Sequence, residues 1–333
     1  MSNLKNRLSK LKKQATNQVE TLEEVSTSFL DQQMKFPLVF KPNRSGLNLE
    51  YWAKENITQF RKDLLQYGGL LFRGFGIDTV EKFQSLMAAF PSESLEYKFR
   101  SSPRYSLASN VYVSTTYPND QSIVMHSESS YAPSHPSQIV FCCIIPAAVQ
   151  GETPIADNRR ILKHLSPELK SKFMEKGVRY KRNLNQLMGL SWREVFQLSE
   201  RAAVEEECRK NGMDFQWKNE DDLSLEWTKK AIWQHPVSGE EVWFNHALFF
   251  NKYMQGKEML DLIRKEEDLP NNTCFGDGTE ISKEEIEEIK AAYEQSIVIF
   301  PWQKGDVLFL DNMLMSHGRN PFEGERKIIV SMS

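Results

Sequence analysis

The chain has 333 residues, of which 40% are hydrophobic and 26% are charged, and its formal net charge is −3. This composition supports a large buried core and is unlike that of a disordered chain. The near-neutral balance provides no global field that would favour nucleic acid, and no apolar run reaches the length of about 20 residues that a membrane-spanning helix needs, so neither partner is expected.

Cysteine usage indicates the redox compartment. Cys142, Cys143, Cys208 and Cys274 show no spacing typical of zinc sites, and the adjacent pair most simply faces opposite sides of a buried strand as free thiols. The first ten residues contain no hydrophobic stretch of the signal-peptide kind. We therefore expect a cytoplasmic protein.

Residues 1–35 form a basic segment in which Leu4, Leu8 and Leu11 recur at helical spacing. We predict a short helical leader that packs, solvated, on the rest of the chain; docking to a membrane or a partner is the alternative. Residues 36–333 are predicted to form a single domain, interrupted by an insertion at about 178–275.

The predicted elements follow in chain order. Helices are predicted at 49–67, 79–90, 158–177 and 283–296, and strands at 68–75, 138–145, 297–302, 306–310 and 327–332. Short strands separated by long inserts are typical of a mainly β protein with flanking helices, built on a double-stranded β-helix (a cupin-like jelly roll). The insertion is rich in charge and tryptophan and is predicted to be helical or loop.

A polar stretch lies between the second helix and the first candidate site residue. Residues 100–118 are rich in Ser, Thr, Tyr and Pro, which predicts a loop. Asn110, Thr115 and Thr116 in this loop are candidates to hydrogen-bond a polar substrate, and they are equally suited to satisfying turn backbone.

The next candidate is the pair formed by His126 and Glu128, which lie two residues apart in a segment that reads as extended. Side chains at i and i+2 of a strand point to the same face, so the imidazole and the carboxylate would converge. Two polar residues on the solvent face of a strand would produce the same pattern.

A second histidine far downstream, His317, favours the metal-site interpretation. Two histidines and one carboxylate form the facial triad of non-haem Fe(II) oxygenases, which leaves the opposite face of the metal open. Arg326 precedes the final strand, where its guanidinium could hold a dicarboxylic acid, and Thr153 offers a hydroxyl to the same acid.

Further candidates lie in the insertion and near the chain end. Arg182 and Arg319 carry guanidinium groups suited to carboxylates, and Asn245 is a candidate substrate contact. The neighbouring His246 is interpreted as a structural histidine because it lies outside the triad pattern.

The motifs around His126, together with Gly151-Glu-Thr-Pro and Gly305-Asp-Val-Leu-Phe-Leu-Asp-Asn-Met, carry a family resemblance. From about residue 37 to its end, the chain resembles the taurine dioxygenase superfamily of Fe(II)/2-oxoglutarate enzymes, and within it the amino-acid hydroxylases of the syringomycin-biosynthesis type. Many members carry Asp where this chain has Glu128. Both acids supply a carboxylate oxygen, so we expect iron binding to survive the change.

The resemblance implies the roles of these residues. His126, Glu128 and His317 would bind Fe(II), Thr153 and Arg326 would contact 2-oxoglutarate, and Arg319 is a further candidate for that contact. With O2, such an enzyme would hydroxylate an unactivated carbon of a polar amino acid, free or tethered to a carrier protein, in natural-product (antibiotic) biosynthesis, with release of succinate and CO2.

Several alternatives stay open at this point. The same chemistry could end in desaturation or cyclisation, or act on a substrate that is not an amino acid. A catalytically silent jelly-roll binding protein and a zinc hydrolase with the same three ligands are the rivals from other classes. The presence of Thr153 and Arg326 favours the oxygenase over both, while homo-oligomerisation stays undecided.

Overall fold

The computed structural model describes residues 24–90, 99, 106–108, 111–113, 117–185, 189–256, 263, 265 and 268–333. Within these ranges, no helix combines the length and the apolar character needed to cross a membrane. All four cysteines are free and buried.

The largest element is an eight-stranded sheet that runs through the middle of the domain. From edge to edge its strands are β1 (Val25–Asp31), β2 (Phe36–Pro42), β3 (Gly69–Phe72), β17 (Val307–Asp311), β7 (Gln138–Ile145), β20 (Lys327–Met332), β5 (Val111–Val113) and β4 (Ser106–Ala108). Only the β2/β3 pair among these is parallel. The strands predicted at 138–145 and 327–332 are confirmed.

A smaller sheet faces one side of the large sheet. Its strands are, in order, β16 (Ile297–Val298), β9 (Ile155–Asp157), β18 (Met315–Arg319) and β6 (Ile123–His126), and a separate two-stranded ladder joins β8 (Val149–Gln150) to β19 (Phe322–Glu323). Apolar side chains of both sheets, such as Phe141 and Leu308 from the large one and Ile155 from the small one, form one buried cluster between them. The two facing sheets confirm the mainly β, jelly-roll prediction, although they do not close into a barrel.

Three helices cover the other side of the large sheet: α1 (Leu49–Glu55), α2 (Ile57–Tyr67) and α3 (Val80–Ala88). The single helix predicted at 49–67 is therefore two, because Asn56 leaves the helical conformation and its side chain donates to the carbonyl of Trp52. Gly68, with φ 71°, ends the second helix in the left-handed conformation that glycine adopts without strain.

The other predicted helices also divide at capping residues. The stretch predicted at 158–177 forms α4 (Asn158–His164) and α5 (Pro167–Lys176), and the hydroxyl of Ser166 caps the second of them as its Ser-Pro-Glu sequence indicated. Helix α8 (Lys283–Glu294) begins at Ser282 with a capping box, which confirms the prediction at 283–296.

The insertion at 178–275 contains more β structure than its sequence suggested. It holds a four-stranded antiparallel sheet in the order β11 (Asp214–Trp217), β12 (Leu223–Lys229), β10 (Val178–Leu184) and β15 (Asn271–Phe275), a hairpin of β13 (Ile232–Gln234) and β14 (Glu241–Trp243), the helices α6 (Trp192–Phe196) and α7 (Arg201–Lys210), and a 3-10 turn at Lys252–Met254. In β10, the buried positions alternate as expected for a strand, but one of them is Arg182, which hides the apolar alternation.

The first strand begins earlier than expected. β1 starts at Val25 and pairs with β2, so residues 25–31 belong to the large sheet and not to the predicted leader. Residues 1–23 lie outside the described part of the chain, so the helix predicted there stays a prediction, as does the organisation of the rest of the chain as a single domain.

Candidate active site

Three potential metal ligands meet at the edge of the space between the two sheets. His126 ends β6 and lies directly opposite His317 of β18 in the antiparallel register, with the ring centroids 4.5 Å apart. One donor atom from each histidine and one from Glu128 lie within 4.8 Å of one another. Within the described ranges this is the one group of three or more His, Cys, Asp or Glu residues that is arranged to hold a metal.

Glu128 reaches this group in a different way from the one predicted. β6 ends at His126, and Glu128 lies in the turn that follows it, so the two side chains do not converge as neighbours on one face of a strand. The turn instead carries the Glu128 carboxylate to 4.0 Å from His126 Nε2. Ser129, with φ 54°, occupies the left-handed region that this sharp reversal requires.

The orientation of His126 is set by its own strand. Its Nδ1 lies 2.9 Å from the carbonyl oxygen of Val124, and because a carbonyl can only accept, Nδ1 carries the hydrogen. The lone pair is then on Nε2, the nitrogen that faces Glu128. The ring of Phe249, from the insertion, lies 4.8 Å from the imidazole and covers it.

Asn312, which directly follows β17, supports the carboxylate ligand. Its Oδ1 accepts from the backbone N–H of Glu128 at 2.8 Å, and its Nδ2 donates to the carbonyl oxygens of Glu128 (2.9 Å) and Pro136 (2.8 Å). Asp311 beside it accepts from two backbone N–H groups of its turn and lies 3.2 Å from His235 Nε2. The buried amide therefore ties the ligand-bearing turn to the end of β17.

A second buried amide holds the residue between the two ligands. Asn158 Nδ2 donates to Ser127 Oγ at 2.9 Å and to the carbonyl of Met313 at 2.8 Å. Together with Asn312, it holds Ser127 and Glu128 from the side of the two facing sheets. Buried hydrogen bonds of this kind favour one geometry over others.

These donors fit a divalent first-row metal. Two imidazoles and one carboxylate are the donor set that non-haem Fe(II) and zinc sites share, and all three donor groups arise from rigid or well-anchored backbone. Glu128 and His317 are buried, so water is largely excluded on their side.

Thr153 and Arg326 lie together, as expected for two contacts to one acid. Thr153 Oγ1 accepts from Trp302 Nε1 at 3.1 Å and from Arg326 Nη2 at 3.4 Å, while Arg326 Nε donates to the carbonyl of Gly151 at 2.8 Å. Burial, and then the neighbouring positive charge of Arg319, lower the pKa of Arg326 to about 10. In the described part of the chain, no carboxylate forms an ion pair with Arg326.

Arg319 has a structural role that its sequence did not reveal. Its Nη1 donates to the carbonyl of Tyr117 at 2.8 Å, and its Nη2 donates to the carbonyls of Gln121 (2.6 Å) and Pro118. These bonds hold the segment 117–121 beside β18. A contact of Arg319 to a bound acid stays a prediction, and Arg326 is the better placed of the two.

The structure describes only some of the candidate substrate residues. Asn110, Thr115 and Thr116 lie outside the described residues, so their roles stay predictions. Asn245 is buried, with Nδ2 donating to the carbonyl of Ala231 at 2.9 Å and Oδ1 accepting from the N–H of Ala247 at 2.8 Å, which makes it a support of the local backbone. A substrate contact by this residue stays a prediction.

Arg182 lies within an aromatic layer that adjoins the metal-ligand group. Its guanidinium carbon is 5.5 Å from the centroid of Tyr131 and 5.8 Å from that of Phe250. Both rings also contact His246, at 4.8 and 5.0 Å, and His246 is 5.7 Å from His126. Two successive rings, Tyr131 or Phe250 and then His246, therefore separate Arg182 from His126.

His246 is buried beside the triad without joining it. Its Nδ1 lies 2.6 Å from Ser130 Oγ, and its backbone N–H donates to the hydroxyl of Tyr180 at 3.0 Å. These contacts agree with the structural role expected for this histidine. Burial, followed by the nearby His126, lowers its pKa well below the usual value, so it is neutral at pH 7.

Several residues around the site had not been singled out from the sequence. Trp302 contacts Thr153 across 149 positions, Asn158 contacts Ser127 across 31 positions, and Phe249 reaches His126 from the insertion. A tryptophan after a short strand or a phenylalanine in an apolar run is common in any core. The sequence therefore carried no signal by which these three could be distinguished.

The chain matches the taurine catabolism dioxygenase TauD, TfdA family over residues 34–332. It is 39% identical over 272 residues to the dapdiamide synthesis protein DdaC of Enterobacter agglomerans, a match that covers 81% of this chain and 83% of that protein. It is also 27% identical over 315 residues to a clavaminate synthase-like protein of Arabidopsis thaliana, covering 89% of this chain and 93% of that one.

Solved structures show the same fold. The PvcB protein from Pseudomonas aeruginosa superimposes with a TM-score of 0.57 at 14% identity, over 94% of this chain and 92% of that chain. PvcB is described as an Fe, α-ketoglutarate dependent oxygenase from an isonitrile synthetic pathway.

Proposed function

Because this chain belongs to the taurine catabolism dioxygenase TauD, TfdA family, it is a non-haem iron and 2-oxoglutarate-dependent oxygenase, and we propose that it hydroxylates a polar amino acid or an amino-acid-derived substrate. The observation that carries this proposal is the convergence of His126, Glu128 and His317 in a structure that also holds the partly buried Arg326, which forms no ion pair with a carboxylate in the described part of the chain. Closeness to the syringomycin-biosynthesis type of hydroxylase stays a prediction.

When bound, iron and 2-oxoglutarate supply the oxidising step, in which O2, 2-oxoglutarate and the substrate C–H are converted to succinate, CO2 and the C–OH product. The protein binds and orients these groups. His126, Glu128 and His317 would hold the metal, and the Asn312 amide fixes the backbone of Glu128. Phe249 shields His126 from solvent.

Arg326 is proposed to bind the distal carboxylate of 2-oxoglutarate. A buried guanidinium without an acidic partner is costly, and a dicarboxylate that enters beside it would supply the missing negative charge. The hydroxyl of Thr153 lies 3.4 Å from Arg326 Nη2 and adds a hydrogen bond at the same place. This electrostatic need explains why an arginine is present at a largely apolar position of the fold.

Arg326→Gln tests this contact. Losing a desolvated, charge-assisted pair should weaken binding by about 2–5 kcal/mol, so we expect the KM for 2-oxoglutarate to rise roughly 30-fold or more with little change in iron affinity. Lys327→Gln, at the half-buried next position, is the matched control and should leave both values unchanged. An unchanged KM in Arg326→Gln would refute this role for Arg326 and would favour Arg319 as the residue that binds the distal carboxylate.

The substrate assignment rests on two observations. Arg182 contacts the aromatic rings that pack on His246 beside the metal ligands, and a guanidinium suits a substrate carboxylate. The similarity to DdaC, whose name assigns it to dapdiamide synthesis, favours a natural-product pathway. We propose an amino acid, either free or tethered to a carrier protein, as the substrate, in the reducing cytoplasm that four free cysteines favour.

A substrate panel under 18-O2 tests this assignment. Free amino acids and carrier-loaded amino acids are incubated with Fe(II) and 2-oxoglutarate, with succinate release and product mass as readouts. We expect at least one polar amino acid to stimulate succinate formation and to gain one labelled oxygen, and His126→Ala to abolish both. A product lacking two hydrogens would indicate desaturation. Stimulation by a sulfonate or an aryloxy acid alone would refute the amino-acid assignment.

A further inference from the structure

The turn that carries Glu128 is held from two sides. We call residues 127–132 the ligand turn; all six of them are buried. Asn158 and Asn312 hold its first two residues from the jelly-roll side. Its last three residues are held by a different part of the chain.

Strand β12 of the insertion contacts the end of the ligand turn. Trp227 Nε1 donates to the carbonyl oxygen of Tyr131 at 2.8 Å, and Lys229 Nζ donates to the carbonyl oxygen of Ala132. Trp227 and Lys229 are two residues apart on one strand, so their side chains project from the same face. Two successive carbonyls of the turn therefore receive donors from one rigid strand.

The strand is itself well anchored. β12 pairs with β11 on one side and β10 on the other, and the ring of Trp227 lies 5.4 Å from Tyr180 of β10. The Lys229 ammonium lies 5.3 Å from the Trp233 ring. Burial lowers the pKa of Lys229 to about 8, and no carboxylate forms an ion pair with it in the described part of the chain.

A lysine at such a place is unfavourable for stability alone, because its charge is desolvated without a counter-ion. A methionine of similar length would fill the same volume without that penalty. The gain that offsets the penalty is the charge-assisted bond to Ala132, which a methionine cannot make.

We propose that Lys229 and Trp227 are positioning residues of the metal site: by fixing the end of the ligand turn, strand β12 sets the place of the Glu128 carboxylate. The insertion then supports the metal site directly and does more than cover it. This inference rests on the proposed function in that Glu128 is taken as a metal ligand.

Lys229→Met is the central variant, and Lys230→Met, at the exposed next position, is its matched control. Co(II), which reports its ligand geometry in its visible spectrum, is the probe. We expect Lys229→Met to bind Co(II) about 10-fold more weakly with a changed spectrum, within the range seen when a support of a ligand is lost. It should also consume more 2-oxoglutarate per product formed, while its KM for 2-oxoglutarate is unchanged.

Two further variants complete the test. Lys229→Gln retains a neutral donor and should recover part of the affinity, whereas a purely space-filling role would be served better by Met. Trp227→Phe keeps an aromatic ring but loses the N–H, so it should change the Co(II) spectrum in the same direction. If Lys229→Met does not fold, the Trp227→Phe protein tests the positioning role of β12 by itself.

The outcomes separate the inference from the function on which it rests. If the unmodified protein fails to bind Co(II), the proposed metal site is refuted. If it binds Co(II) and the Lys229→Met and Trp227→Phe proteins bind it equally well with the same spectrum, the metal site stands and the positioning role of β12 is overturned.

Discussion

At the scale of single residues, the carboxylate ligand and its support define the site. Glu128 has one more methylene than the Asp found in many relatives of this kind, and the turn after β6 places its carboxylate 4.0 Å from His126 Nε2. Because the backbone of Glu128 is bonded on both sides to one amide, the longer side chain begins from a fixed point.

The first prediction concerns this side chain. Glu128→Ala should lower Fe(II) affinity by more than the roughly 100-fold that marks the loss of an outer support, because a ligand itself is removed. Glu128→Asp should keep partial activity since the carboxylate remains. Metal titration of the two variants beside the exposed control Glu325→Ala checks this, and wild-type affinity in Glu128→Ala would refute the ligand assignment.

The second prediction concerns Asn312. Asn312→Asp preserves the shape and the acceptor for the Glu128 N–H but loses two donors, leaving the carbonyls of Glu128 and Pro136 unpaired and burying a charge. Each lost donor should destabilise the fold by about 1–3 kcal/mol, and metal affinity should fall roughly 10- to 100-fold. Chemical denaturation and metal titration measure both effects, with the exposed Asn119→Asp as the comparison.

At the scale of elements, a buried ion pair joins two central strands of the large sheet. Arg73, just after β3, donates from Nε and Nη2 to the two carboxylate oxygens of Asp306, just before β17, at 2.9 and 2.7 Å. Asp306 is fully buried and also accepts from the N–H of Gln303. The pair therefore joins the end of β3 to the start of β17, and Asn312 directly follows β17.

The third prediction follows from that burial. Asp306→Asn leaves the Arg73 charge without its partner and should lower the free energy of unfolding by about 3–5 kcal/mol. Asp78→Asn removes a solvent-accessible partner from Lys82 and should have a much smaller effect, because water screens this pair. Equal effects of the two substitutions in urea unfolding would contradict this account.

The fourth prediction concerns the buried lysine of β12 and pH. The pKa of Lys229 is about 8 in the folded protein, below its usual value of 10.5, so between these pH values the unfolded chain binds the additional proton. Stability relative to Lys229→Met should therefore rise as the pH increases from about 8 to 10.5. A flat difference between the two proteins over this window would show that Lys229 is not desolvated.

At the scale of the whole molecule, the metal and 2-oxoglutarate would bind between the two sheets. The metal would be held by His126 and His317 of the smaller sheet, and the distal carboxylate by Arg326, next to β20 of the larger one. Binding between two layers opposes their separation, so it should raise the stability of the entire fold.

The fifth prediction measures this coupling. Under argon, Fe(II) and 2-oxoglutarate at about 100 times their dissociation constants should each add about 2.7 kcal/mol, visible as a rise in Tm, and a chelator should reverse the rise. In His317→Ala the same addition should leave Tm nearly unchanged. A similar increase in that variant would place the binding elsewhere.

The sequence alone determined the features that depend on residue type and local order. The apolar run at 138–145 predicted β7, the helix predicted at 283–296 is α8, and His126, His317, Thr153 and Arg326 were singled out as candidate site residues from their chemistry and the family resemblance. These signals lie in the residue types and their order, so they can be read without knowing which distant segments meet.

Only the tertiary structure decided how the site is assembled. The Asn312 amide meets Glu128 across 184 positions, Trp302 meets Thr153 across 149, and Lys229 meets Ala132 across 97. The sheet of the insertion was hidden because Arg182 occupies an inward position, where a charge contradicts the expected alternation. Such contacts form when separate layers pack together. The partner of a buried polar group is then set by proximity in space, and no periodic pattern in the sequence reveals it.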